Sequence, residues 1–139
     1  ISFNPVCPRY LETHSFDVFY LNSERGALGM ALHEIAHFVW FEKWHEHFGD
    51  DAKEYDTPHL KWIFSEMVVE SLLSDERLKP LNPYAGNSVY DCFYTLTLDG
   101  KPALEALDEL YHQYDIIGFM EQGYAFCQRH EAAIRAALQ

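Results

Sequence analysis

Basic residues are scarce in this chain, and their scarcity excludes one broad class of partner. Ten lysines and arginines stand against 22 aspartates and glutamates, which gives a formal net charge of −12 at pH 7. Binding to nucleic acid requires a basic face that neutralises phosphates, so we expect no nucleic-acid partner. Long apolar runs are missing too. None approaches the roughly 18 residues of a membrane-spanning helix, and no basic segment followed by an apolar one opens the chain.

The chain also contains few cysteines. Cys7, Cys92 and Cys127 are odd in number and widely spaced. This pattern fits neither a disulfide framework nor a paired-cysteine zinc site. Free thiols suit a reducing compartment, so the expectation is a cytoplasmic location. The chain opens on Ile1 rather than methionine, which suggests a fragment or a processed form of a longer chain.

Apolar residues, in contrast, are plentiful. Hydrophobic residues make up 48% of the chain and aromatic residues 16%, which indicates a folded protein rather than a disordered one. A length of 139 residues suits one hydrophobic core and is too short for two. We therefore expect a single domain over residues 1–139.

One short strand and one long helix are predicted in the first third of the chain. Residues 16–21 are aromatic and β-branched, which is typical of a strand. Asn22 or Ser23 can then cap a helix that ends near Phe48, because Gly49 follows it. The fold class predicted from this region and the helices below is helix-rich α+β, with a small sheet before the first helix.

The rest of the chain is predicted to be mostly helical. A second helix is predicted to start at Thr57 or Pro58 and to end near Ser74. Its residues are mostly apolar, and its charged residues are one lysine and two glutamates. Chain breaks are expected at 79–83 and 86–87, and residues 88–98 fit either a helix or a strand. Asp99-Gly100 should turn the chain. Further helices are expected at about 102–113 and 115–138.

The first helix contains the sequence His33-Glu34-Ile35-Ala36-His37, an HExxH motif. Two imidazoles four residues apart lie one above the other on a single helix face, close enough to bind one metal ion. The neighbouring glutamate, Glu34, can take a proton from a water molecule at that metal. The motif therefore predicts a zinc site and a metal-dependent hydrolase.

A catalytic zinc ion usually has three protein ligands, so a third residue is needed. The extended motif HExxHxxGxxH would require glycine at position 40 and histidine at position 43, where this chain has Trp40 and Lys43. His45 and His47 are out of register and are expected to be exposed at the helix end, where a partial positive charge is favoured.

The second helix offers two glutamates instead, Glu66 and Glu70. Both have apolar residues at their helical neighbour positions. Burial of an unpaired carboxylate costs several kcal/mol, so such an acid needs a cation or several donors. An ordinary salt bridge, or a glutamate at the edge of the core, would also satisfy this requirement.

With these residues the chain resembles the gluzincin metallopeptidases, the broad group that includes thermolysin. The resemblance covers about residues 16–75. It implies a zincin-like domain that binds Zn²⁺ through His33, His37 and Glu66, with Glu34 as general base. It also implies that Glu70, where that group usually has aspartate, hydrogen-bonds a ligand histidine. An inverted assignment, with Glu70 as ligand and Asp75 behind it, stays open, and Asp56 and His59 are outside alternatives.

The function that the resemblance implies is hydrolysis of peptide bonds in a peptide or protein substrate. The substrate would lie extended along a sheet edge, that of the 16–21 strand. Such peptidases also use a tyrosine or histidine that donates to the developing oxyanion, and several residues could serve: Tyr90, Tyr94, His112 and Tyr114. Two alternatives stay open, a non-catalytic metal-stabilised binding or regulatory domain, and a helical interaction module in which the HExxH sequence is accidental.

Overall fold

The computed structural model describes residues 1–5, 7–81 and 89–139, and in them the chain is helix-rich α+β, as predicted. Two small antiparallel sheets accompany the helices. The elements are, in chain order: β1 Arg9–Tyr10, β2 Ser15–Phe16, α1 Glu24–Phe48, α2 Leu60–Ser74, α3 Asp91–Thr95, β3 Thr97–Leu98, β4 Lys101–Pro102, α4 Ala103–Gln113, α5 Ile116–Arg129 and α6 Glu131–Ala137. Within the same ranges, no helix combines the length and the apolar character needed to cross a membrane.

Helix α1 has the boundaries that its capping residues predict. The Ser23 hydroxyl accepts a hydrogen bond from the Gly26 amide at 3.0 Å, which satisfies one free donor of the first turn. At the other end Gly49 has φ +66°, a left-handed conformation that glycine adopts without strain, and its amide donates to the carbonyl of His45 at 2.9 Å. The HExxH residues therefore lie in the interior of a regular helix.

Helix α2 is the central element of the domain. It packs against α1, α4 and α5, and most of its residues are buried. The fully buried Phe64 ring contacts the rings of Trp40, Trp44 and Phe119. Gly123 on α5 lies so close to this ring that an added Cβ would come within 2.7 Å of it. Helix α2 is thus held from several sides, which fixes the position of its polar residues.

The predicted start of α2 was wrong by two or three residues. The helix begins at Leu60 rather than at Thr57 or Pro58, and His59 precedes it in an extended conformation. The His59 amide donates to the carbonyl of Asp56, so residues 56–59 form a turn in place of the first helical turn. The predicted end at Ser74 is confirmed.

The strand predicted at 16–21 was wrong for most of its length, because Phe16 alone of that range lies in a named strand. Only Ser15–Phe16 forms β2, which pairs antiparallel with Arg9–Tyr10, so that Arg9 lies opposite Phe16. Next to this pair the Asp17 amide donates to the Pro8 carbonyl at 3.0 Å, but Pro8 has no amide hydrogen to donate in return. Further along, Phe19 forms an isolated parallel bridge with Ser2. A small sheet does precede α1, but it is a hairpin over residues 9–16.

The ambiguous segment 88–98 contains both of the expected structures, as far as it is described. Helix α3 covers Asp91–Thr95 and β3 covers Thr97–Leu98. Asp99 and Gly100 both have positive φ and form the predicted turn into β4. The break predicted at 79–83 is a 3-10 helix over Lys79–Leu81, whereas residues 82–83 and the break at 86–87 lie outside the described residues.

The last predicted helix, 115–138, is divided in two. His130 has φ −111° and ψ 12°, outside the regular helical conformation, and it separates α5 from α6. Its amide is shared between the carbonyls of Phe126 and Cys127, as is common at a helix end. The helix predicted to begin at Pro102 begins one residue later, at Ala103.

A substitution at the centre of this packing tests the role of α2. Phe64→Ala should lower the free energy of unfolding by about 3–5 kcal/mol, because a fully buried ring is replaced by a cavity. Val39→Ala is the control, since the Val39 side chain is more than half exposed, and it should change stability by no more than about 0.5 kcal/mol. Urea denaturation followed by circular dichroism measures both. Equal effects of the two substitutions would contradict the assignment of α2 as the central helix.

Candidate metal centre

The two motif histidines lie on the face of α1 that faces α2. Their Nε2 atoms are 3.0 Å apart and their ring centroids 4.7 Å apart. His37 is fully buried and stacks on the Phe41 ring, whereas His33 is half-buried. The four-residue spacing on a regular helix thus brings both imidazoles to one point.

Glu66 of α2 completes a group of three donors. Its Oε2 lies 3.4 Å from Nε2 of His33, and its Oε1 lies 3.3 Å from Nε2 of His37. A tetrahedral zinc ion with ligand distances of about 2.0–2.1 Å requires its donor atoms to be about 3.3 Å apart. The two glutamate distances are close to this value but involve different oxygens of Glu66, and one ligand atom from each of the three residues lies within 4.8 Å of the others. The three side chains fit a zinc ion.

The protonation states of these residues suit a cation as well. Burial lowers the pKa of His37 to about 4, although the Glu66 carboxylate opposes this shift. Burial disfavours the charged form of Glu66, but hydrogen bonds from His33 and His37 outweigh it and lower the pKa of Glu66. At neutral pH the site therefore holds a neutral His37 imidazole and an ionised Glu66 carboxylate, the forms that bind zinc.

Glu34 is buried beside this group and forms an ion pair with Arg9. Sequence patterns did not identify Arg9 as a residue of the site. Nη1 of Arg9 donates to Oε2 of Glu34 at 3.0 Å, and Nη2 of Arg9 lies 3.6 Å from Oε1 of Glu66. Burial raises the pKa of Glu34, and it outweighs the opposing effect of the Arg9 charge. A carboxylate with a raised pKa is a stronger proton acceptor, as a general base requires.

Glu70 is bound by a tyrosine hydroxyl, and its implied hydrogen bond to a ligand histidine stays a prediction. Its Oε2 accepts a hydrogen bond from the Tyr94 hydroxyl at 2.7 Å. The buried Nδ1 of His37 has no hydrogen-bond partner, so among the described residues no carboxylate orients that ring from behind. The structure therefore brings together His33, His37 and Glu66, and places Glu70 against the short helix α3.

Among the described residues, the other candidates considered for the site are not part of this donor group. Asp75 accepts hydrogen bonds from Arg77 and from the Tyr111 hydroxyl. The Asp56 carboxylate accepts from the Thr57 amide, and His59 precedes the first turn of α2. His45 and His47 are exposed near the end of α1, as expected; His45 contacts the Asp50 carbonyl, and His47 lies 3.5 Å from Glu121.

A cavity of about 290 Å³ opens onto the donor group. Among the described residues it is lined by His33, Glu34, Glu66, Val89 and Tyr90. Of the four residues proposed to stabilise an oxyanion, Tyr90 borders this cavity. Tyr94 is bound to Glu70, whereas His112 pairs with Asp108 and Tyr114 ends α4. The residues that line the cavity thus include a tyrosine as well as two acids and one histidine.

A comparison of Glu66 with Glu70 tests which acid binds the metal. Glu66→Gln should weaken zinc binding by at least about tenfold, because a neutral amide replaces an ionised ligand. Glu70→Gln should retain the wild-type affinity, and Glu46→Gln, exposed on α1, is the control. Competition with a fluorescent chelator measures the affinity. Weaker binding in Glu70→Gln together with unchanged binding in Glu66→Gln would reverse the assignment.

Comparison of the chain with protein-family models, with curated proteins and with solved structures found no match.

Proposed function

We propose that this chain is a zinc-dependent metallopeptidase domain with a zincin-like site of the gluzincin type. The observation that carries the proposal is the convergence of the His33, His37 and Glu66 donor atoms at separations of 3.0, 3.4 and 3.3 Å. An HExxH helix and a glutamate from a second helix are the ligand set of that group of enzymes. Glu34, the remaining polar residue of the motif, lies next to these donors.

Each residue has a defined role in this proposal. His33, His37 and Glu66 would hold the zinc ion, which when bound acidifies water and polarises a carbonyl group. Glu34 would accept the proton of the attacking water and later deliver it to the leaving amine. Tyr90 would donate its hydroxyl hydrogen to the oxyanion that develops on the scissile carbonyl.

The number of ligands and the cavity favour a catalytic site over a structural one. Structural zinc ions are enclosed by four protein ligands, whereas catalytic zinc ions have three and keep a position for water. Within residues 1–5, 7–81 and 89–139, three donors converge, and Glu34 and Tyr90 line the cavity next to them. This arrangement supports hydrolysis rather than the alternative, a metal-stabilised binding or regulatory domain.

A test of the general base separates catalysis from metal binding. Glu34→Gln should lower the rate of peptide cleavage at least about 100-fold, because the amide cannot accept the proton, and should retain zinc at the wild-type stoichiometry. Cleavage of a peptide library is measured by mass spectrometry, and zinc by elemental analysis of protein purified without a histidine tag. Glu46→Gln on the same helix is the matched control.

The same experiment has outcomes that contradict the proposal. Wild-type protein without stoichiometric zinc would rule out both the peptidase and the metal-stabilised domain. Full cleavage by Glu34→Gln would remove Glu34 from its role. Zinc binding without cleavage of any library peptide, combined with unfolding upon chelation, would favour the non-catalytic alternative.

The role of Tyr90 is tested by removal of its hydroxyl group. Tyr90→Phe should lower kcat about 100-fold to 1,000-fold with little change in KM, because the lost hydrogen bond forms only as the oxyanion develops. Tyr114→Phe, at the exposed end of α4, should behave like the wild type. Steady-state kinetics on one cleaved library peptide measures both variants. An unchanged kcat in Tyr90→Phe would exclude it as the donor.

A further inference from the structure

Arg9 is the one cation among the described residues that contacts both acids of the proposed site. Its side chain is only 10% exposed. One guanidinium nitrogen donates to Glu34 and the other lies 3.6 Å from Glu66. The arginine therefore joins the proposed general base to the proposed third ligand, although it precedes them by 25 residues or more in the sequence.

The N-terminal hairpin holds Arg9 in this position. Arg9 pairs with Phe16 across the two strands, and the Asp17 amide donates to the Pro8 carbonyl at 3.0 Å next to that pair. The hairpin also rests on α1, because the rings of His14 and Phe16 both lie against Phe38. Phe38 directly follows His37. The backbone that carries Arg9 is thus fixed relative to the motif helix.

The guanidinium contacts two of the residues that line the cavity, Glu34 and Glu66. Arg9 is not among the described residues that line the cavity with His33, Glu34 and Glu66. This placement distinguishes Arg9 from Tyr90, which borders the cavity.

A carboxylate needs such a contact to keep one orientation. The terminal torsion of a glutamate side chain has a broad energy minimum, so an unrestrained carboxylate rotates between many positions. The hydrogen bond from Nη1 of Arg9 to Oε2 of Glu34 restrains this torsion. Arginine suits this task because its planar fork reaches two acids at once, whereas the ammonium group of lysine acts as a single point charge.

We propose that Arg9 is a positioning residue of the metal centre, which spans Glu34 and Glu66 and fixes the orientation of both carboxylates. The N-terminal hairpin then contributes to the geometry of the site, because it carries Arg9, and does not only pack against α1. This inference rests on the proposed function, since the two acids need a fixed orientation only if one binds a metal and the other accepts a proton.

Two substitutions separate geometry from charge. Arg9→Met removes both the fork and the charge, whereas Arg9→Lys keeps the charge. The protein is loaded with Co²⁺, whose visible absorption spectrum reports the geometry of its ligands. Arg77→Met is the matched control, because Arg77 is exposed and pairs with Asp75 outside the site. The same proteins, loaded with zinc, are assayed for kcat and KM.

Both Arg9 variants should bind one equivalent of Co²⁺ but give altered absorption spectra. Both should show kcat lowered about 10-fold to 100-fold, the usual effect of losing a partner of a metal ligand, with KM nearly unchanged. Arg9→Lys should not restore the wild-type kcat, because lysine keeps the positive charge but lacks the planar fork that contacts both acids. Arg77→Met should match the wild type in both measurements. If Arg9→Met does not fold, Arg9→Lys carries the test alone.

Other results would overturn the inference. A wild-type spectrum and kcat in Arg9→Lys, with tighter Co²⁺ binding in Arg9→Met, would show that only the charge matters. A raised KM with unchanged kcat would place Arg9 in contact with the substrate. Wild-type behaviour of both variants would reduce Arg9 to a packing residue. If the wild type itself binds no Co²⁺ or zinc, the proposed function fails and this inference fails with it, a result distinct from the other three.

Discussion

The carboxylate of Glu66 is buried on the mostly apolar helix α2, where an unpaired negative charge would cost several kcal/mol. Glu66 is 6% exposed, and its helix is surrounded by α1, α4 and α5. The compensating groups are the imidazoles of His33 and His37 and the guanidinium of Arg9. Because these groups come from α1 and from the N-terminal hairpin, the burial of one acid constrains how three parts of the chain are arranged.

Polar contacts join α1 and its C-terminal end to α2 at both ends of the contact between the two helices. At one end lie the histidines and Glu66. At the other end Lys61 of α2 pairs with Asp50 at 2.8 Å, and the Trp44 indole donates to the same carboxylate at 2.6 Å. Aromatic rings fill the space between the two ends, with Phe64 at the centre. The relative position of the two helices is therefore fixed by polar contacts at each end and by close packing between them.

Local patterns in the sequence predicted the parts of this arrangement that depend on near neighbours. Ser23 and Gly49 cap α1 where the sequence places them, and the spacing of His33 and His37 determines that they share a face. The apolar surroundings of Glu66 in the sequence indicated that it needs a cation. The turn before α2 and the short β2 strand were not predicted, since the turn has a hydrogen bond from the His59 amide to the Asp56 carbonyl and the length of β2 depends on its pairing with Arg9–Tyr10.

The contacts between distant segments were beyond local patterns. Arg9 was not singled out, because its meeting with Glu34 depends on the hairpin that carries it. The scarcity of arginine and lysine in an acidic chain was the one available signal, since a buried pair of acids has few possible cations. The hydrogen bond from Tyr94 to Glu70 was not predicted either, because the two residues are 24 positions apart in the sequence.

The most direct test of the central claim is an anomalous difference map of a crystal grown with zinc, with data collected at the zinc absorption edge. If His33, His37 and Glu66 bind the metal, the map will contain one strong peak about 2 Å from Nε2 of His33, Nε2 of His37 and a carboxylate oxygen of Glu66. A map without a peak at these three residues, or with the zinc ion bound to Glu70 instead of Glu66, would contradict this assignment.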